Sequence, residues 1–147
     1  MYAQFTAQDG IYLLGSESLV IPAGEDQIKG GNLLTNPHDS SLWTGGNSGT
    51  PSSYGDIAIK LTNTNPGAAA GYAYRAYTTD SAKWYMFRVK TYDPQSATAR
   101  IYVGTAGGTN DITASTYDTN ESKFVVFQGI GAATYLHIQN ATATQDS

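Results

Sequence analysis

Two histidines and twelve carboxylates are the groups of this 147-residue chain that could move protons, and their spacing gives them little to act with. His38 stands beside Asp39 in the loop segment "NPHDSS". His137 lies about a hundred residues further on, outward on an alternating segment. A Ser-His-Asp relay needs a presented nucleophile, and the chain has no G-x-S-x-G elbow. Glycoside hydrolysis needs two carboxylates flanking one bond, and no pair stands in such a setting. The absence of cysteine excludes a disulfide framework, a thiolate metal site and a Cys nucleophile. The segment "GTAGGTND" lacks the Gly-Lys-Ser/Thr of a phosphate loop. The chain therefore reads as non-enzymatic and without a cofactor. A calcium ion held by loop carboxylates and carbonyls stays open, with Asp9, Asp39, Asp56 and Asp111 as possible ligands.

Rings offer a second chemistry. The outward side of 83–92 with its neighbours gathers Trp84, Arg88, Arg100, Tyr102, Tyr135 and His137 as a candidate glycan or partner face. Flat rings stack on sugar rings while nearby polar groups bond hydroxyls. The competing reading is that these rings pack against a second sheet, the N-terminal arm or another subunit. Tyrosine and tryptophan suit such interfaces because one end is apolar and the other polar. Trp43, in a Gly- and Ser-rich loop, reads as a plug at one end of the fold.

Strands must position these residues, because helix signals are nearly absent. The chain carries 16 Gly and 11 Tyr, and only 14% of its residues are charged. That is the composition of short strands and tight turns. Period-two alternation marks 56–63, with Ile57, Ile59 and Leu61 on one face. It marks 70–77, with Tyr72 and Tyr74 opposite Arg75 and Tyr77. It marks 83–92, with Tyr85, Phe87 and Val89 opposite Trp84, Met86, Arg88 and Lys90. In 98–105, Ile101 and Val103 oppose Arg100 and Tyr102. In 134–140, Leu136 and Ile138 oppose Tyr135 and His137. Segment 123–130 is apolar on both faces, which places it at the centre of a sheet. The linkers between these runs are turn chemistry. The expected fold is all-β, an antiparallel β-sandwich of jelly-roll type with an N-terminal arm.

The division is an arm or added strands over 1–30 and a sandwich over 31–147. Two apolar runs in the arm supply its expected contacts: Ile11, Tyr12, Leu13 and Leu14, then Leu19, Val20 and Ile21. They are too short to form a domain and too apolar to stay in water, so they dock on an open sheet edge of this chain or a neighbouring copy. Charge is uneven along the chain. Residues 1–59 carry six acids and one base, residues 60–100 six bases and two acids, and residues 101–147 one base and four acids. An acidic arm against a basic central segment is electrostatically sensible, and a uniformly basic nucleic-acid binder is not expected. The opening "MYAQFTAQDGIYLLG" lacks the pattern of a signal peptide. No apolar run is long enough for a membrane helix. The two N-x-S/T sequons, at Asn120 and Asn140, read as accidental.

The order "NLLTNP…LWTGG", "YGDIAIKLTN", "AGYAYRAY", "KWYMFRVKTY", "ARIYVGT" and "KFVVFQG…ATYLHIQN" resembles the carbohydrate-binding-module jelly rolls that accompany glycoside hydrolases and recur in phage head and tail proteins. The match covers 31–140. Two departures stand out: the closing strand of that family is absent after "NATATQDS", and some thirty residues precede the Asn-Leu-Leu turn. The resemblance, with the added arm, implies a virion structural protein assembled in the host cytoplasm. The form expected is a capsid decoration or cement protein that bridges neighbouring capsid subunits, as a homo-oligomer and by analogy a homotrimer. The alternative it implies is a carbohydrate-binding module or fibre domain that binds host-surface glycans.

Overall fold

The computed structural model describes residues 2–4, 10–14, 28–29, 33–55, 58–63, 70–92, 99–116 and 122–140. Within them the chain is a sandwich of two antiparallel sheets with a single 3-10 turn at Ser40–Leu42. The strands are β1 (Tyr2–Gln4), β2 (Gly10–Leu14), β3 (Ile28–Lys29), β4 (Thr44–Gly46), β5 (Gly49–Tyr54) and β6 (Ala58–Asn63). They continue as β7 (Tyr72–Thr78), β8 (Trp84–Tyr92), β9 (Ala99–Gly104), β10 (Thr113–Ala114), β11 (Ser122–Gln128) and β12 (Ala133–Asn140).

The larger sheet is organised around β8. One side of β8 pairs along seven residues with β11, from Lys90 opposite Ser122 to Trp84 opposite Gln128. Its other side is shared by two pieces of the first thirty residues. β1 lies opposite Lys90–Tyr92 and β2 opposite Trp84–Arg88. β1 then pairs with β6, which pairs with β5, while β2 pairs with β3. The smaller sheet runs β10-β9-β12-β7-β4. Alternation decides what is buried. Phe87 and Val89 of β8, Ile59 and Leu61 of β6, Ile101 and Val103 of β9, and Leu136 and Ile138 of β12 all point inward and meet in one core. Each such side chain is worth roughly 1.5–3 kcal/mol on burial.

Two pieces of the arm segment lie in the large sheet of this same chain. Ile11 is fully buried in that core, opposite Phe87, and β1 stands between β8 and β6. The pieces Tyr2–Gln4 and Gly10–Leu14 are strands of the sheet, with Tyr12, Leu13 and Leu14 in register with Met86, Tyr85 and Trp84. Leu19, Val20 and Ile21 lie outside the described residues, as do Asp9, Glu17, Glu25 and Asp26.

One side of the sandwich is closed by the chain itself. β4 turns into β5 through Asn47 and Ser48, both at positive φ (48° and 65°), and the chain crosses from the small sheet to the large one. The crossing is tight enough that a Cβ on Gly45 would fall on the carbonyl oxygen of Gly49. Pro51 in β5 also suits an edge, since it has no N–H to offer a further strand. The opposite side is bounded by β11 in the large sheet and by the two-residue β10 in the small one. The expectation that 123–130 is central is corrected here. Among the described residues β11 pairs only with β8 and is an edge strand, although its residues are apolar on both faces.

Candidate functional site: a capped aromatic face and an open sheet edge

The residues expected to form one face are divided between the two sheets. Arg100, Tyr102, Tyr135 and His137 lie on the outer face of the small sheet. Trp84 and Arg88 lie on the outer face of the large one. Alternation assigns a face within a strand, and the strand's sheet assigns the side of the molecule.

The small-sheet group is built by register. His137 of β12 stands between Tyr74 of β7 and Tyr102 of β9, and Gln139 stands between Tyr72 and Arg100. Directly opposed residues share a face, so Tyr72 and Tyr74 join the group. Sequence reasoning put these two tyrosines on one face of their strand but did not connect them to His137. The rings pack on one another. Tyr102 stacks on His137 at 4.1 Å between centroids and 11° between planes, and Tyr74 meets Tyr135 edge-on at 5.7 Å. Arg100 lies 4.8 Å above the Tyr102 ring, its Nε donating to Gln139 Oε1 at 2.7 Å.

The face is capped by the chain's own loop. After Gly104 the segment 105–110 folds back over the sheet, so closely that a Cβ on Gly104 would strike the backbone of Thr109. Gly107 lies against the Tyr74 ring and Gly108 against the Tyr72 hydroxyl, where a side chain would have no room. The Gly108 N–H donates to His137 Nε2 at 2.8 Å. Asp111 ties the loop together by accepting from Thr105 N (2.9 Å), Thr105 Oγ1 (2.6 Å) and Thr109 Oγ1 (2.7 Å). These bonds hold its carboxyl well below the usual carboxylate range.

The outward ring faces of Tyr102 and His137 are therefore covered by the chain's own loop. His137 is 0% exposed and Tyr102 1%. Burial pushes the His137 pKa down to about 4; Arg100 acts the same way, while the backbone of Tyr135 and Tyr102 opposes both. The ring is neutral, and because Nε2 accepts from Gly108 its proton sits on Nδ1. Nδ1 has no partner at hydrogen-bonding geometry among the described residues. Tyr72, Tyr74 and Tyr135 stay half-buried at the rim.

The large-sheet group is different in kind. On the outside of β8 and β11, Trp84 stands opposite Gln128, Met86 opposite Val126 and Arg88 opposite Phe124. Trp84 is 37% and Phe124 44% exposed, and half-buried Val126, the partner of Met86, lies between them in register. Ile130, just past the strand, is also exposed. Edge strands are normally guarded by outward charge, proline or a bulge. The pairing of β11 with β8 runs unbroken, its outward residues are Ser122, Phe124, Val126 and Gln128, and it holds no proline. Its one charge, Lys123, points inward and is 4% exposed. Lys123 lies toward the Ser122 end, and among the described residues no outward charge, proline or bulge guards Phe124–Gln128.

The remaining expected groups have local structural roles. Asp39 caps the 3-10 turn, accepting from Ser41 N at 2.9 Å and Ser41 Oγ at 2.7 Å. Its neighbour His38 is half-buried in the same loop. Trp43 packs into the core beside Leu34 and donates Nε1–H to Pro37 O at 2.9 Å. Among the described residues no three His, Cys, Asp or Glu side chains converge as metal ligands, while Asp9 and Asp56 lie outside them. Comparison of the chain with protein-family models, curated proteins and solved structures yields no match.

Proposed function

We propose that the chain is a non-catalytic assembly module, and more particularly a decoration or cement protein of a phage particle, that bridges neighbouring capsid subunits through the open side of its sandwich. The observation that carries the assembly reading is the unguarded edge of β11, with Phe124 exposed on it and Trp84 exposed on the same outer face. A strand edge supplies backbone hydrogen bonds to an incoming partner and the outward rings supply apolar area, so bridging needs no chemistry. The decoration role in particular is supported by the sequence resemblance to phage-borne modules. It is tested by mass spectrometry of purified particles, and by adding the purified chain to particles stripped of it. Wild type should rebind and Phe124→Lys should not. Particles that lack the chain, or equal binding by both forms, would remove the proposal.

A second reading, binding of host-surface glycans, is supported by the half-buried rims of Tyr72, Tyr74 and Tyr135 beside the capped face. It predicts glycan-array binding that Tyr135→Ala weakens while the fold persists. An array blank for wild type would remove it.

A further inference from the structure

The open side has a geometry that selects its partner. We infer that β11 pairs edge to edge with β11 of a second copy, antiparallel about a two-fold axis through Val125, so that two large sheets become one. This rests on reading the open side as the assembly surface and names what first occupies it.

Three features of the strand lead there. The first is its pattern. Inward Val125 and Phe127 and outward Phe124 and Val126 make a strand that is apolar on both faces, yet it has one neighbour among the described residues and Phe124 stays exposed. The second is register. A continuous sheet requires opposed residues to share a face, so a two-fold pairing must be centred on a residue rather than between two. Centring on Val125 engages the whole of Ser122–Gln128. It sets Phe124 of each copy against Val126 of the other on the outside, two pairings of an aromatic with a β-branched residue. Inside, it sets Val125 against itself and Lys123 against Phe127.

The third is charge and size. The chain carries a net charge of −4. The strand, however, presents no outward charge, and Thr113 and Ala114 of β10 beside it are uncharged. Two copies can therefore meet along these strand residues without bringing outward like charges together. Seven strand residues span about 23 Å and the side of a two-sheet sandwich is about 20 Å deep. The contact then covers roughly 500 Å² on each copy, about 1,000 Å² in total, which is the lower limit for a specific interface. A concentration-dependent pair follows, isologous in symmetry, where the sequence resemblance alone suggests a trimer.

The full chain is tested by sedimentation velocity between about 1 and 200 μM. Wild type should shift from monomer to dimer over this range, and Phe124→Lys should weaken the association at least about tenfold. Because Phe124 is already exposed, the variant should keep its thermal midpoint. Should it fail to fold, a second variant carries the test. The chain has no native cysteine, so Val125→Cys should give a reducible covalent dimer under mild oxidation. Crosslinking by Val126→Cys in its place would overturn the register. A wild type that stays monomeric throughout overturns the pairing, and it leaves the rebinding of that monomer to particles as the separate test of the assembly reading.

Discussion

Replacing His137 with phenylalanine separates the two things this residue does. The wild-type ring is buried and neutral, and its pKa is lowered from 6.5 to about 4, chiefly by burial. The unfolded chain therefore takes up this proton at higher pH than the folded one. Stability tied to His137 is complete above about pH 6.5 and is lost as pH falls toward 4. The full loss corresponds to about 3 kcal/mol, most of it gone by pH 4.5. Asp111, the nearby carboxylate on the capping loop, does not change state in that window. It stays ionised because Thr105 and Thr109 hold its pKa down. Phenylalanine keeps the stack on Tyr102 but cannot titrate and cannot accept from Gly108, so at pH 7 the variant should be less stable by about 1–3 kcal/mol. By pH 4.5 that advantage should have vanished or reversed. Urea denaturation followed by circular dichroism at pH 7, 5.5 and 4.5 reads both differences. Parallel pH dependence in wild type and His137→Phe would refute the buried neutral histidine and its bond to the loop.

Other outcomes follow from single contacts. Gly45→Ala drives a Cβ onto the Gly49 carbonyl oxygen at the crossing between sheets, and the thermal midpoint should fall by at least about 5 °C; an unchanged midpoint would mean that the β4–β5 corner yields easily. Asp111→Ala removes the acceptor shared by Thr105 and Thr109, so amides 105–110 should exchange faster with deuterium while those of β12 do not. Deleting residues 1–14 removes β1 and β2 and uncovers the site of Ile11; circular dichroism should show loss of the sandwich, and a folded truncation would contradict the placement of these strands in the sheet.

What the sequence disclosed, and what it withheld, follows from the range of the forces concerned. The inward sets Phe87/Val89, Ile101/Val103 and Leu136/Ile138 were legible because side chains alternate along any strand, whatever its neighbours. The capping of Tyr102 and His137 was not, because alternation says which face a residue takes and not what the next loop does. Gly104, Gly107 and Gly108 were the available signal, since three glycines within five residues let a backbone lie directly on rings. The wide separation of Trp84 and Arg88 from Arg100 and Tyr102 depends on long-range pairing, which no local pattern encodes. The edge position of β11 was hidden by its own composition. A run apolar on both faces satisfies the pattern of a central strand, and the pairing proposed above would give it that position.

Hydrogen–deuterium exchange of the peptide spanning Ser122–Gln128 tests the central claim most directly. Among the described residues of a single chain β11 is bonded on one side only, so about half of its amides should exchange quickly at low micromolar concentration. In the self-associated chain, and in particles carrying it, those amides should become protected while the β6 and β12 peptides stay as they were. Identical exchange of this peptide in the dilute and assembled forms would contradict assembly through the open edge.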